Sequence, residues 1–399
     1  MIKYRSILME PKNILLAVTG GIAAYKACDL TSQLTKTGHN VQVIMTDHAA
    51  KFVAPLTFEA LTDRPVLTEL FEKHPADPIA HISLAKWADV LCVVPATANI
   101  IAKIACGLGD DLVSTVCLAA YKKKILCPAM NCHMYENPVV QENLEKLKGH
   151  GWIVVEPAVG LLACKDAGKG KLADVQTIKE TILQALYPKP LSSKKVVITA
   201  GPTQEALDPV RFLSNHSTGK QGYAIARAAR SLGAETVLVS GPVHLPVPAG
   251  VSCVNVTSAQ DMFEAVKAHS DADIFVLAAA VGDFRPEVCA SQKIKKKDAE
   301  TVIRLVQNPD ILAWLGEHKK PGQKLVGFAM ETENLEANAR HKLESKNCDL
   351  LVANNLFVPG AGFGTDTNVV LLITPEGTVS LPALSKEELG FRLLEEVMD

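Results

Sequence analysis

The chain has 399 residues, 48% of them hydrophobic and 5% aromatic, with a formal net charge of −2. One core rarely serves so many residues, so two or three domains are expected; the balanced charge and scarce aromatics exclude a protein drawn by its overall field to DNA or membrane, or one that stacks single-stranded bases. The ten cysteines show no CxxC and no paired metal spacing, a usage that suits a reducing, cytoplasmic setting.

The opening stretch MIKYRSILMEPKN has no apolar core of signal-peptide length, and no run of about eighteen apolar residues predicts a membrane span. Short β-rich apolar runs follow at 13–19, 40–45, 89–95, 124–127 and 152–156, with helical patterns over 23–37, 111–121 and 138–150. Gly38 and Gly151 stand where two of those helices end. Nearly unbroken apolar strands alternating with helices predict a parallel, doubly wound α/β sheet. Tyr187–Ser193, with two prolines and two serines, reads as a linker. The pattern then restarts. Strands are expected at 195–199, 235–239, 252–256, 273–279, 324–329, 349–353 and 368–374, and helices at 222–232, 258–269, 310–317, 334–345 and 386–397, with a hairpin-like turn at 375–378. No repeat links the halves. Two different α/β domains are therefore expected, 1–189 and 190–399.

In the first half, the turn Thr19-Gly-Gly-Ile-Ala-Ala-Tyr-Lys26 joins a strand to a helix N-terminus, where backbone donors and the helix dipole can hold a phosphate. It is not GxGxxG, so one phosphate, as on a flavin mononucleotide, fits better than a dinucleotide. A tight glycine turn that only packs helix on sheet is an equally good reading of it alone. The third strand runs into Pro95-Ala-Thr-Ala-Asn99, where small residues admit a flat ring and Thr97 and Asn99 offer polar contacts. Thr46 ends the second strand and can do the same. Either threonine can equally be a plain helix cap. Cys127-Pro-Ala-Met-Asn-Cys-His-Met-Tyr135 reads as a clamp for a small acid, and Leu161–Lys171, rich in glycine and charge around Cys164, as a mobile lid.

GGIAAYK, PATAN, HISLAKWAD, PAMNCHM and the glycine-rich flap together resemble the flavin-containing cysteine decarboxylases, over about residues 12–187. The resemblance implies a flavodoxin-like domain that binds FMN through Gly20, Gly21, Ile22, Thr46, Pro95, Thr97 and Asn99. It implies oxidation of a cysteinyl thiol to a thioaldehyde, loss of carbon dioxide, and reduction of the resulting enethiol. His81 would serve the oxidation and decarboxylation. Met130, Asn131 and Met134 would hold the substrate, Asn131 by its carboxylate, and Cys164 would supply the proton for the reduction. The chain departs from the family pattern at Lys165, where Gly is frequent, at Lys171, where Arg is, and at Tyr135, where Trp is.

In the second half, about twenty residues, Thr199–Lys220, join a strand to a helix, against the two to six usual in such units. The segment carries Arg211, Asn215, Ser217, Thr218 and Lys220, residue types suited to an anion. It lacks the glycine and the trailing hydroxyl of a Walker A motif. Asp283 follows a strand whose small residues Ala278 to Ala280 leave room for a base or sugar. Ser291–Lys297 carries a lysine run, Asn308-Pro-Asp-Ile-Leu312 opens a helix, and Lys342 and Lys346 share a helix face.

ITAGPTxExxDPVRFxSNxSxGK, AAAVxDF, KIKK, NPDIL, GFAxET and FGTDTN together resemble phosphopantothenate–cysteine ligase, over about 194–370. The resemblance implies a Rossmann-like ligase domain using CTP and Mg²⁺, with an acyl cytidylate that cysteine's amine then attacks. Asn215 would stabilise the cytidylate and Lys293 assist its formation. Ala278, Ala279, Asp283, Lys293, Pro309, Asp310, Ile311, Leu312, Phe328, Lys342 and Lys346 would contact CTP, and Gly201, Arg211 and Ser217–Lys220 would hold phosphate. The two halves resemble the bacterial bifunctional enzymes of coenzyme A synthesis, whose partners are 4'-phosphopantothenate, cysteine and CTP. Relatives imply decarboxylase trimers and ligase dimers, which can close into a twelve-subunit shell. A dinucleotide-dependent oxidoreductase is disfavoured by the missing GxGxxG, and a non-catalytic binding protein by the joint presence of His81, Asn131 and Cys164.

Overall fold

A computed structural model describes residues 11–71, 77–295, 302–331, 335–355, 362 and 364–398. The chain divides into two compact units, one up to Tyr187 and one from Pro188 onward.

In the first unit, β1 (Asn13–Val18), β2 (Asn40–Met45), β3 (Val90–Ala96), β4 (Lys123–Pro128) and β5 (Trp152–Val154) form a parallel sheet of order β2-β1-β3-β4-β5. That is the flavodoxin-like order, with its switch point between β1 and β3. The strands read as unbroken apolar runs because helices cover both faces. Ile14, Leu16 and Val18 pack towards one layer and Leu15 and Ala17 towards the other, all fully buried. The helix Val175–Leu186 closes one face with Ile178 and Ile182 at zero exposure. Each such side chain contributes about 1.5–3 kcal/mol of burial. The flap forms an antiparallel hairpin, β6 (Ala158–Leu161) with β7 (Ala167–Lys171).

In the second unit, β8 (Lys195–Ala200) lies inside a mixed sheet. The long connection after it is not a bare loop, since β9 (Gln204–Ala206) and β10 (Phe212–Ser214) pair within it as a small hairpin. The sheet continues through β11 (Glu235–Ser240), β12 (Ser252–Asn255) and β13 (Ile274–Leu277). A second small hairpin, β14 (Phe284–Pro286) with β15 (Leu305–Gln307), precedes β16 (Lys324–Glu331) and β17 (Leu350–Asn355). After the two-residue β18 (Thr367–Asn368), β19 (Val370–Thr374) and β20 (Gly377–Ser380) make the expected hairpin on the sheet edge. The order is β12-β11-β8-β13-β16-β17-β19-β20, parallel as far as β17. The chain steps from β8 outward to β12, then returns to β13 on the other side, so β8 and β13 flank this sheet's switch point. The lysine run beyond Lys295 and residues Thr332, Asn334 and Phe363 of the expected motifs lie outside the described residues.

Two candidate sites at the sheet switch points

Each unit carries a cavity of about 620 Å³ beyond the carboxyl ends of its central strands. In open α/β sheets this is where the separating crossovers leave a crevice for ligands.

The first cavity is lined by Gly20, Gly21 and Ile22 after β1, by Pro95 of β3 and Thr97 and Asn99 after it, and by Met130, Asn131 and Met134 after β4. Gly20 is fixed by contact, because a Cβ there would strike His48. The helix that follows, Ala24–Lys36, has neither a side-chain cap nor an acid in its first turn. The first turn therefore brings no competing anion to this end of the cavity, while Ala24 N and Lys26 N bond the carbonyls of Gly21 and Ala23. Thr97 caps the helix Ala98–Cys106 through Ile100 N, and its own amide donates to the Thr19 hydroxyl at 3.2 Å. The sequence offers Thr97 either as a ligand contact or as a plain helix cap; the structure makes it a cap and a part of the cavity wall at once. Ile22, Tyr25, Met134 and Leu161 are 63%, 60%, 49% and 68% exposed, which gives the cavity an apolar rim suited to a flat ring.

Cys164 and Asn131 meet there. Asn131 caps the short helix Cys132–Glu136, its Oδ1 accepting from His133 N at 2.9 Å. Its Nδ2 donates to Cys164 Sγ at 3.2 Å and to Asp166 Oδ2 at 2.7 Å. The Cys164 thiol donates to that same carboxylate at 3.3 Å. Hydrogen bonds from Cys164 and then Asn131 hold the Asp166 carboxyl below the ordinary range. Asp166 was not singled out in the sequence, where it is one charge among several in the flap.

The three departures have local consequences. Lys165 sits at φ +71°, a left-handed conformation that glycine adopts freely and other residues at about 1–2 kcal/mol. Lys171 lines the cavity. Tyr135 Oη donates to Glu156 at 2.7 Å, and Lys169 of β7 reaches the same carboxylate at 2.8 Å, which ties the clamp helix to the flap. Burial raises the Glu156 carboxyl, but hydrogen bonds from Lys169, Tyr135 and Lys148 outweigh it and hold it at about 2. Two residues do not reach the cavity lining. Thr46 caps the turn Asp47–Ala50 through Ala49 N. His81 is half-buried near the start of the helix Ala80–Trp87.

The second cavity is lined by Asn215 and Ser217–Lys220 from the long connection, Ala278, Ala279 and Asp283 after β13, Pro309–Leu312, Phe328 and Lys342. Gly219, at φ +78°, starts the helix Lys220–Ser231, again with no side-chain cap and no acid in the first turn. Asn215 Nδ2 donates to Ala280 O at 3.0 Å and so binds the connection to the segment after β13. Lys342 donates to Phe328 O at 3.2 Å. Lys220 is paired with Asp366 at 2.7 Å. Lys386, absent from the sequence reading, also lines this cavity. It donates to Gly362 O at 3.1 Å and Thr365 O at 2.5 Å, anchoring the segment that bears Asp366.

Four expected residues stand outside this lining. Gly201 packs at φ +78° against Val243. Lys346 pairs with Asp310 at 2.9 Å. Arg211 Nε bonds the buried Asp208 at 3.0 Å, and its Nη2 donates to Ile294 O at 2.9 Å. Asp208 also accepts from Ile294 N. This pair therefore fixes the exposed segment that carries Lys293. Among the described residues, one group brings possible metal donors within 4.8 Å of one another: Cys132, His133 and Asp166, in the first unit. That thiol–imidazole–carboxylate set is unlike the all-oxygen shell magnesium takes.

Two open α/β units, each with an anion-ready helix and a switch-point cavity, define a two-site enzyme scaffold. Residues 4–187 match the family model described as Flavoprotein, and 191–399 match the DNA/pantothenate metabolism flavoprotein C-terminal domain. The chain is 48% identical over 396 residues to the coenzyme A biosynthesis bifunctional protein CoaBC of Bacillus subtilis (strain 168), covering 98% of this chain and 97% of that one. It is 46% identical over 389 residues to the same protein of Vibrio vulnificus (strain YJ016), covering 97% of each. A solved C-terminal domain of CoaBC is 42% identical, covers 53% of this chain and 96% of its own, and superposes with a TM-score of 0.46. The chain belongs to the family of bifunctional coenzyme A biosynthesis proteins, enzymes with a decarboxylase and a ligase domain.

Proposed function

We propose that the second unit joins 4'-phosphopantothenate to cysteine at the expense of CTP, and that the first decarboxylates the resulting phosphopantothenoylcysteine to 4'-phosphopantetheine. The observation that carries the reading is the meeting of Asn131 and Cys164 at one apolar-rimmed cavity. FMN fits that cavity. Gly20–Ile22 and Thr97 would hold its phosphate, with Pro95, Asn99 and Met130 against its ring, and when bound it supplies the reversible hydride transfer. Asn131 holds the substrate's carboxylate. Cys164 protonates the carbon left by carbon dioxide, with the flap keeping water away.

In the second unit, Asn215 steadies the acyl cytidylate and Lys293 neutralises phosphate charge as it forms. Ala278, Ala279 and Asp283 take the nucleoside. The helix start at Pro309–Leu312, with Phe328, Lys342 and Lys346, takes its phosphates with Mg²⁺, while Arg211 and Lys220 serve the phosphorylated acid. Self-association fits the residues that stand outside each cavity. Decarboxylase trimers would let His81 serve a neighbouring copy. Ligase dimers would cover Val210, Phe212, Phe284 and Leu305, which are 58%, 50%, 49% and 48% exposed on the two small hairpins or beside them. No helix among the described residues is long and apolar enough to cross a membrane, and a cytoplasmic setting suits these substrates.

Purified protein should be yellow, and with phosphopantothenate, cysteine, CTP and Mg²⁺ it should release pyrophosphate, CMP and carbon dioxide. A colourless protein that forms neither CMP nor carbon dioxide overturns the reading. Replacing CTP by ATP in the same assay reads the nucleotide preference, and sedimentation reads the assembly.

A further inference from the structure

The carboxamide of Asn131 already holds a carboxylate, that of Asp166, at 2.7 Å. The contact is short and charge-assisted, and Cys164 shares it through its own bond to Asp166. The two flap residues also belong to one hydrogen-bonded turn. Leu162 N donates to Asp166 O at 2.8 Å and Lys165 N to Leu162 O at 2.9 Å, closing a tight turn over 162–166. Wherever the Asp166 carboxylate docks, the Cys164 sulfur is delivered beside it.

We propose that Asp166 is a positioning residue that stands in for the substrate's carboxylate at Asn131 and brings the Cys164 thiol to the carbon from which carbon dioxide has left. The inference rests on the site reading above, in which Asn131 binds that carboxylate. Two like charges cannot share one amide without cost. Incoming substrate therefore displaces Asp166, and the turn carries Cys164 away with it. When the carboxylate departs as carbon dioxide, the amide is released and Asp166 returns to it. Cys164 then lies where the lost group was attached, which is the carbon that needs the proton. Its S–H bond breaks as the new C–H bond forms there. A bound flavin, reduced in the first half-reaction, would supply the hydride that the neighbouring carbon takes. The thiolate regains its proton from water. Asp166 is ionised at neutral pH, since Cys164 and Asn131 hold its carboxyl below the usual range, so the stand-in has the charge of the group it replaces.

The test uses the full-length, flavin-loaded enzyme carrying Asp166→Ala, with phosphopantothenoylcysteine as substrate. Ligation by the same chain is the control for folding. Loss of the internal competitor should lower KM by about threefold to tenfold, the worth of one hydrogen bond. In a single turnover, in which each flavin is reduced once, carbon dioxide release should stay within about twofold, while phosphopantetheine formation slows about tenfold to a hundredfold and the enethiol accumulates. Asp166→Glu, which keeps the charge, should recover part of the reduction rate. A rise in KM, with carbon dioxide and product falling in parallel, overturns the proposal and leaves Asp166 as a flap-shaping residue. Asn131→Ala separates the two failures. An unchanged KM in that variant overturns the site reading itself, and this inference with it.

Discussion

The two cavities occupy the same architectural position and have opposite walls. Both open at a switch point, and both face a helix whose first turn lacks a cap and an acid. The first is rimmed by Ile22, Tyr25, Met134 and Leu161. The second holds Lys220, Lys342 and Lys386 among amides such as Asn215, Asn308 and Asn354. An apolar rim suits a flat neutral ring and water exclusion; a cationic, amide-rich wall suits a polyanion and charge that grows during reaction. The architecture thus sets where a ligand binds, and the residues added after each strand set which ligand. At each cavity a carboxylate also sits on a group proposed to bind ligand: Asp166 on Asn131 and Asp366 on Lys220.

The contrast can be broken most sharply at Lys293, on the exposed segment outside the second cavity's lining. Lys293→Gln should lower CMP formation by about a hundredfold or more, the usual cost of losing one group aimed at developing charge. Decarboxylation of supplied phosphopantothenoylcysteine should persist; loss of both rates would mean misfolding. Cys164→Ser is the mirror experiment. Product formation should fall about a hundredfold or more, with the first turnover of carbon dioxide release retained and ligation untouched. Normal phosphopantetheine output from that variant would remove Cys164 from its role.

Asp366→Asn sharpens the parallel between the two resident carboxylates. Lys220 would lose its partner, and the KM for the anionic substrate of the ligase should fall by about twofold to fivefold, since the pair is exposed and screened. Asp208 provides a pH test. Arg211, more than the backbone amides of Val210, Ile294 and Arg211, holds its carboxyl far below the usual range against the effect of burial. A depressed folded-state pKa stabilises above the unfolded value, near pH 4, and that contribution is lost as pH falls towards the folded value. Ligase structure should therefore be indifferent to Asp208 ionisation at pH 5 and above, and an Asp208→Asn variant should lose the acid-range slope below about pH 4. The smallest effects concern the flap. Tyr135→Phe should cost about 0.5–1.5 kcal/mol of decarboxylase-unit stability by leaving Glu156 one donor short. Lys165→Gly should relieve about 1 kcal/mol of left-handed strain at the flap tip, partly offset by the freedom glycine gains in the unfolded chain. Both are readable as shifts in melting temperature.

Much of the fold was legible because strands covered on both faces write themselves as apolar runs. Every strand expected in the two main sheets is present within a few residues. The short elements were not legible. The flap hairpin is built of glycines and charges, which carry no strand preference, and it is held by pairing with its other arm. Helix Ala98–Cys106 was hidden because Thr97, a cap, sits in a motif that also reads as a ligand loop. At the sites, residues whose chemistry is local, such as Asn131, Cys164 and Asn215, could be named from the sequence. Asp166 could not, since the bond that draws attention to it runs to Asn131, 35 residues away. Lys386 could not either, because the segment it anchors and the Lys220 it faces meet it only in the folded chain.

The last helix, Lys386–Met398, sets a timetable for synthesis. It packs on the first helix of its unit, with Gln221 donating to Lys386 O at 3.3 Å and Arg227 bonding Glu387 at 2.6 Å. Lys386 closes the cavity that Lys220 opens. A ribosome still holding the final turn of this helix therefore carries a decarboxylase unit whose sequence is already complete and a ligase pocket still missing a wall. Chains are made from the amino end and domains fold as units, so the unit whose reaction comes second is the first to be completed.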